Sequence, residues 1–305
     1  MITHLRAKNI PILLHNRSWL AFAVIVLLNT AAFAGDSLEE HLNAEYSGKV
    51  LTQRHFLSGH KLVYDAEGNP ASGSRVGPWT LDGKIRVQQI NLRGSSTIDI
   101  RGERLLLISG SDKNPSQDFF ETFVDFFEQN NNLRRHLSSE EWKKLRDKQQ
   151  VQISITRPAG FDETSAGAAI MKVFLAPGER LSDFVPDYWK SRAQQTQGTP
   201  GSPQSLPPKE PYKVEGGVTP PHPKKMPDPS YAEPARQIRY QGTVVLWMVV
   251  DESGGVRDVR VQRALGAGLD DKAVDAVRRW RFDPATLNGN PVAVQINVEV
   301  NFRLY

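Results

Sequence analysis

The stretch Gly242-Thr-Val-Val-Leu-Trp-Met-Val-Val250, followed by Asp251-Glu-Ser-Gly-Gly255, decides the fold of the last third of this chain. Apolar residues fill both alternating sets of positions in residues 244–250. That pattern predicts a strand that is central in its sheet or covered on each face. The next five residues are rich in types that tolerate positive φ and predict a turn. Val256, Val259 and Val261 predict a second strand after it, so the two runs predict a β-hairpin.

The residues around this hairpin predict two helices and a final strand. Residues 231–240 suit a short helix, and apolar residues recur at helical spacing from Leu269 to Trp280. Asn288-Gly289 predict a turn, after which apolar residues alternate over residues 292–300. The order helix, strand, strand, helix, strand predicts a two-layer α+β unit with a three-stranded sheet. Its core is expected to contain Tyr231, Leu246, Leu269, Trp280 and Phe282.

These motifs resemble the C-terminal domain of the TonB family, the energy transducers of Gram-negative envelopes. The resemblance covers mainly residues 218–305. It is carried by Pro229-Ser-Tyr231, the two stretches quoted above, Leu269-Asp270, Arg279-Trp-Arg-Phe282 and Val298-Glu-Val-Asn-Phe302. The resemblance implies an interaction module rather than an enzyme. In the family, the last strand is an exposed sheet edge that accepts an extended peptide, the TonB box, from an outer-membrane receptor.

Carried over by position, the resemblance places this edge at residues 292–300. The partner-binding residues are then expected to be Asp228, Val292, Val294, Ile296, Asn297, Val298 and Val300. Asp228 stands where the family usually has a Gln, which leaves room for a different peptide. The alternative is that the edge pairs with a second copy of the chain or is covered by the N-terminal region. Under the first reading, Ile296→Pro is expected to abolish peptide binding by removing a ladder donor.

Residues 1–34 carry the pattern of a secretory signal peptide. Arg6, Lys8 and Arg17 precede an uncharged run from Ser18 to Ala34, which ends in Ala32-Phe33-Ala34. The run spans only ~25 Å as a helix, against a hydrocarbon core of ~30 Å. The sequence therefore favours cleavage before Gly35 and export to the periplasm. An uncleaved anchor in the inner membrane, as transducers of the family use, is the alternative.

The rest of the chain predicts a second folded region and a linker. Residues 35–190 predict a β-rich α+β domain that no motif assigns. Within it, Ser138-Ser-Glu-Glu141 predict a capping box and residues 181–192 a last helix. A helical stripe is predicted by Phe119, Phe120, Phe123, Val124 and Phe127. Of the 20 prolines, 11 lie between Pro200 and Pro234, so residues 191–217 predict a Pro-rich linker.

The composition excludes several classes of site. The chain has no cysteine, which removes cysteine nucleophiles and cysteine-ligated metals from consideration. The net charge of +4 is scattered, so no nucleic-acid partner is expected. Ser37 follows the cleavage site with no strand before it, so no catalytic residue is predicted. His55 and His60 have no Asp or Glu at ligand spacing, so no metal site is predicted, and no cofactor is expected. The sequence thus predicts a periplasmic protein that binds outer-membrane transport machinery in energy-coupled uptake. The alternative is a soluble envelope adaptor that docks or dimerises without energy transfer.

Overall fold

The computed structural model describes residues 38–110, 120, 123–129, 138–190 and 210–304. The predicted signal peptide and residues 191–209 of the predicted linker lie outside the described residues. The chain from Leu38 onward forms one compact unit. Within the described ranges, no helix is both long enough and apolar enough to cross a membrane.

The N-terminal region, residues 38–190, is a helix-covered sheet. Its helices are α1 (Leu38–Tyr46), α2 (Trp79–Asp82), α3 (Phe126–Gln129), α4 (Ser139–Asp147) and α5 (Glu163–Val173). Its strands are β1 (Val50–Thr52), β2 (Lys61–Asp65), β3 (Lys84–Arg93), β4 (Thr97–Arg104), β5 (Leu107–Ser109), β6 (Phe123–Asp125) and β7 (Gln150–Thr156). The main sheet has the order β1-β3-β4-β7-β2, and α1 and α5 share its buried core.

The structure confirms the predicted capping box of this region but not its two predicted helices. The Ser138 capping box is present, with Glu141 N–H donating to its hydroxyl. The expected helical stripe is wrong at Phe123 and Val124, because they lie in β6, which pairs with β5, and the described helix begins only at Phe126. Phe123 and Phe127 pack against two different clusters, so a single helical face cannot serve both. The expected last helix is two 3-10 turns, Leu181–Asp183 and Asp187–Trp189, separated by the extended Pro186.

The C-terminal region, residues 210–304, has helices on one face of a mixed sheet. Its helices are α6 (Glu233–Gln237) and α7 (Leu269–Val277). Its strands are β8 (Tyr212–Lys213), β9 (Val218–Thr219), β10 (His222–Lys225), β11 (Gly242–Val250), β12 (Val256–Arg263), β13 (Arg281–Asp283), β14 (Ala285–Leu287), β15 (Asn290–Val292) and β16 (Val294–Phe302). The α+β class is confirmed, and β11 is central as its two apolar faces predict.

The main C-terminal sheet has four strands rather than the predicted three. Its order is β12-β11-β16-β8, and the fourth strand comes from the segment predicted as linker. The two short strands that follow this segment also pair, β9 with β14 and β10 with β13. Residues 210–225 therefore run along the C-terminal region instead of away from it.

The predicted core residues lie beneath this sheet. Leu246 and Leu269 are fully buried, and Trp280 and Phe282 are buried in the same cluster. The Trp280 indole also donates to the Pro227 carbonyl at 3.1 Å, so it holds the segment that precedes α6. Tyr231 is half-buried, and its ring meets Phe302 edge-to-face at a centroid distance of 5.4 Å.

The two regions pack against each other through the loop before α7. Ser109 N–H donates to the Leu265 carbonyl at 2.8 Å, and Ala267 N–H donates to the Leu107 carbonyl at 2.7 Å. Gly266 lies between these bonds at φ +86°, where a Cβ would come within 2.3 Å of the Leu107 oxygen. The sequence division at residues 190 and 218 stays a prediction. The contacts show that the regions on either side share a packed boundary.

Two adjacent carboxyl groups hold the loop before α7 in place. Asp270 accepts from Leu265 N–H at 2.8 Å and from Gly266 N–H at 2.7 Å, while burial raises its pKa to about 7. Asp271 accepts from the Tyr188 hydroxyl at 2.6 Å, and burial raises its pKa to about 6. Because Tyr188 belongs to the N-terminal region, the second hydrogen bond ties the two regions together.

Candidate functional site

The outer edge of β16 is the candidate site. On its inner side, β16 pairs with β11 along its full length, from Val294 opposite Val250 to Phe302 opposite Gly242. On its outer side, β8 pairs in parallel with only Val294 and Gln295. Among the described residues, the outer side from Ile296 to Phe302 has no strand partner.

The pairing with β8 fixes which backbone groups face outward. Tyr212 N–H donates to the Ala293 carbonyl at 2.9 Å, so odd-numbered residues of this strand point towards β8. The same alternation turns the N–H and C=O groups of Asn297, Glu299 and Asn301 to the free edge. The backbone groups of Ile296 and its even-numbered neighbours point to β11 instead. Three consecutive odd positions therefore offer an unpaired row of donors and acceptors.

The side chains of β16 divide between two faces. Val294 and Val300 are buried beneath the helices, while Ile296 and Val298 are half-buried against the same core. Asn297 is exposed on the opposite face, as is Glu299, whose carboxylate lies 3.8 Å from the Arg263 guanidinium. An added strand would thus meet half-buried apolar side chains on one face and polar ones on the other.

The structure separates two of the predicted site residues from this edge. Val292 belongs to β15 and pairs with Ala285, because the Asn288-Gly289 turn forms a hairpin of its own before β16 begins. Asp228 is exposed ahead of α6, and no pairing with β16 is recorded for its segment. The edge also begins later than predicted, since Val294 is already paired with Tyr212.

The outer face of the sheet is cationic around a half-exposed tryptophan. Trp247 on β11 lies between Arg260 on β12 and Asn297 on β16. Arg257 and Arg263 occupy equivalent positions one pair further along in each direction. Charged side chains on a sheet beside an open edge discourage unspecific pairing between edges. The face therefore favours a selected partner over indiscriminate association.

Metal binding offers no alternative site in the described part of the chain. Those residues contain no group of three His, Asp or Glu side chains that could hold a metal ion. His41 Nε2 lies 3.2 Å from the Glu163 carboxylate. That contact is a partly exposed pair that joins α1 to α5. Ser37 and His136 lie outside the described residues.

Sequence comparisons identify relatives of the C-terminal segment. Residues 227–304 match the family model described as Gram-negative bacterial TonB protein C-terminal. Protein TonB of Xanthomonas campestris pv. campestris (strain B100) is 39% identical over 82 residues, which is 27% of this chain and 37% of that protein. Protein tonB2 of Pseudomonas aeruginosa is 35% identical over 79 residues, 26% of this chain and 29% of that protein. The resemblance to the TonB family is confirmed, and it is confined to this segment.

Two further matches cover similar shares of this chain. Protein TonB of Vibrio cholerae serotype O1 is 32% identical over 77 residues, 25% of this chain and 32% of that protein. The chain thus spans less than two fifths of the length of these curated relatives. The solution NMR structure of Pseudomonas aeruginosa TonB CTD matches 30% of this chain and 89% of its own, at 23% identity and a TM-score of 0.25.

Proposed function

We propose that the C-terminal region binds an extended segment of a partner protein by adding it as a strand to the free edge of β16. The observation that carries this proposal is the unpaired row of backbone groups at Asn297, Glu299 and Asn301. Backbone hydrogen bonds supply affinity in strand addition, and alternate side chains supply register. The half-buried Ile296 and Val298 offer the apolar surface that such side chains would cover.

The proposed partner is the TonB box of an outer-membrane TonB-dependent receptor, and the proposed setting is energy-coupled uptake. Two observations support it: the similarity of residues 227–304 to TonB proteins and the export pattern of residues 1–34. The protein would act in the periplasm as a binding protein, without enzymatic activity.

Hydrogen exchange measured with a receptor peptide tests this function. Synthetic peptides from the extended N-terminal segments of receptors of the same cell are titrated into the full chain. Strand addition should protect the amides of Asn297, Glu299 and Asn301, which have no ladder partner in the described chain. The Ile296 and Val298 amides, already bonded to β11, serve as internal controls. Protection of other amides instead of these three would exclude this function. So would the absence of binding at about millimolar peptide, because a millimolar Kd corresponds to only ~4 kcal/mol.

A second candidate function is that of an envelope adaptor without energy transfer. The observation that favours it is the docking of the C-terminal region on residues 38–190 through Leu265, Gly266 and Ala267. A C-terminal region held in this way would present the free edge of β16 as part of a larger folded unit. Mass spectrometry of the N-terminus in fractionated envelopes separates the two candidates. A chain that starts at Gly35 in the soluble periplasm favours the adaptor, and a retained, membrane-bound N-terminus favours the transducer.

A further inference from the structure

The first part of the candidate edge is already occupied by a segment of the same chain. Tyr212 and Lys213 lie parallel to β16, opposite Val294 and Gln295, and Tyr212 N–H donates to the Ala293 carbonyl at 2.9 Å. The half-buried Tyr212 ring packs against the core cluster of the C-terminal region. This segment uses the same two kinds of contact that an added peptide would use: backbone pairing and an inserted side chain.

The segment is held over a very short length. The ladder comprises two residue pairs, and the residues after it leave the sheet at once: Lys213 is exposed and Val214 is 40% exposed. Gly216 and Gly217 follow with φ of +64° and +87°, and a Cβ at either would meet nothing within 4 Å. A two-residue strand followed by an exposed turn is among the first elements of a fold to open.

The glycine turn also limits what would move. Val218 and Thr219 begin β9, which pairs with Leu287 and Thr286. Thr219 Oγ1 further accepts from Thr286 N–H at 3.0 Å. The chain is therefore anchored just beyond the turn, so β8 can leave β16 without unfolding the segment that follows.

We propose that β8 is an internal stand-in for the partner strand, which the partner displaces when it binds. This inference rests on the proposed function and adds an orientation and a chemistry to it. The partner runs parallel to β16 and places an aromatic or large apolar side chain opposite Val294, where Tyr212 lies now. Beyond that residue, it continues along the groups at Asn297, Glu299 and Asn301. The competing segment also protects the edge when no partner is present.

Exchange with an internal strand lowers the apparent affinity for a partner. The partner binds only the fraction of molecules in which β8 is open, so its apparent Kd rises by the inverse of that fraction. A tethered strand competes at an effective concentration on the order of millimolar. Loosening β8 should therefore tighten the binding of an added peptide, and fixing it should weaken that binding.

A disulfide lock tests the exchange directly. The chain has no cysteine, so Lys213→Cys with Gln295→Cys introduces the only two thiols, at directly opposed positions of the ladder. The full-length double variant is titrated, oxidised and reduced, with the receptor peptides used for the proposed function. We expect the oxidised form to bind at least about tenfold more weakly, because the disulfide prevents β8 from opening. A tenfold change in Kd corresponds to only ~1.4 kcal/mol. The single variant Gln295→Cys is the matched control and should not respond to oxidation.

A second measurement uses the displaced segment itself as the probe. A labelled peptide with the sequence of residues 210–217 (EPYKVEGG) is titrated into the full native chain and into Tyr212→Ala. We expect tighter binding to Tyr212→Ala, which has lost the competing ring, and no such gain for the same peptide with Ala in place of Tyr.

The outcomes separate the two proposals. Receptor peptides that bind the oxidised and reduced forms equally overturn the strand exchange and leave the proposed function standing. If EPYKVEGG binds Tyr212→Ala while no receptor peptide binds any form, the exchange site stands and the proposed partner fails. If EPYKVEGG fails to bind Tyr212→Ala, the site does not recognise a strand in trans, and the inference is overturned.

Discussion

Two proline substitutions one residue apart in β16 should have different effects: one should destabilise the fold, and the other should weaken peptide binding. Ile296 and Met248 face each other in the β11–β16 ladder, and the alternation set by Tyr212 turns the Ile296 N–H inward. The Asn297 N–H points to the free edge. The sequence-based expectation that Ile296→Pro acts on peptide binding is therefore wrong in its mechanism, because that donor serves the fold. Asn297→Pro is the substitution that acts on the edge.

The magnitudes follow from the partner that each N–H has. Ile296→Pro loses a net hydrogen bond of about 0.5–1.5 kcal/mol and leaves a buried acceptor of Met248 unpaired, at about 1–3 kcal/mol. The free energy of unfolding should fall by roughly 2–4 kcal/mol, a large part of the 5–15 kcal/mol typical of a domain. Asn297→Pro removes a donor that no strand uses, so its stability should change by less than about 1 kcal/mol, as proline is tolerated at sheet edges.

Denaturation and binding measured on both variants check this reasoning. Urea unfolding gives the stability of each full-length variant, and fluorescence anisotropy gives its affinity for a receptor peptide. Asn297→Pro should keep its stability and lose at least tenfold in affinity, about 1.4 kcal/mol. Asn297→Ala, which keeps the N–H, is the matched control and should bind normally. An Asn297→Pro variant that binds like the native chain would refute the assignment of this edge.

Three further predictions concern the fold around the site. Trp280→Ala should lower the free energy of unfolding by about 3–5 kcal/mol, because the ring is buried and its indole holds Pro227. Urea unfolding of Trp280→Phe, which keeps an aromatic ring, should show a clearly smaller loss. Gly266→Ala should lower the melting temperature far more than Gly289→Ala, since both glycines have positive φ but only at Gly266 does a Cβ meet the Leu107 backbone; equal losses would show that the contact is not decisive. Burial raises the pKa of Asp271 from 3.8 to about 6, so the stability it contributes is full below about pH 4 and is lost as pH rises through about 6. Asp271→Asn should gain stability relative to the native chain between pH 5 and 7.5, by about 1–3 kcal/mol, and a pH-independent difference in melting temperature would contradict this.

Periodicity in the sequence was enough to predict the C-terminal fold. The two apolar faces of residues 242–250 indicated a central strand, and β11 does lie between β12 and β16. Apolar residues at helical spacing from Leu269 indicated a buried helix face, and Leu269 and Ala273 are buried on α7. Trp280 is buried as predicted, but it follows the helix, which ends at Val277. These patterns are reliable because one long element shows its periodicity over several repeats.

The details of the candidate edge could not be read in the same way. Val292 continues the apolar alternation of β16 in sequence, yet it pairs with Ala285 in a separate hairpin. Tyr212 and Lys213 form a strand of two residues, which is too short to show any period. Tyr212, a lone aromatic among prolines and polar residues, was the one local sign that this part of the predicted linker has a buried contact.

The sequence by itself determined the α+β class, the order of the main elements and the core of the C-terminal region, because local periodicity follows from which face of each element meets the core. Tertiary structure alone decided that β8 covers the start of the edge and that the unpaired groups belong to Asn297, Glu299 and Asn301. It also decided that Gly266 meets Leu107 across the boundary between the two regions. Such pairings join residues far apart in the chain. Every residue except proline carries the same backbone donor and acceptor, so side-chain patterns do not encode which strand these groups will meet.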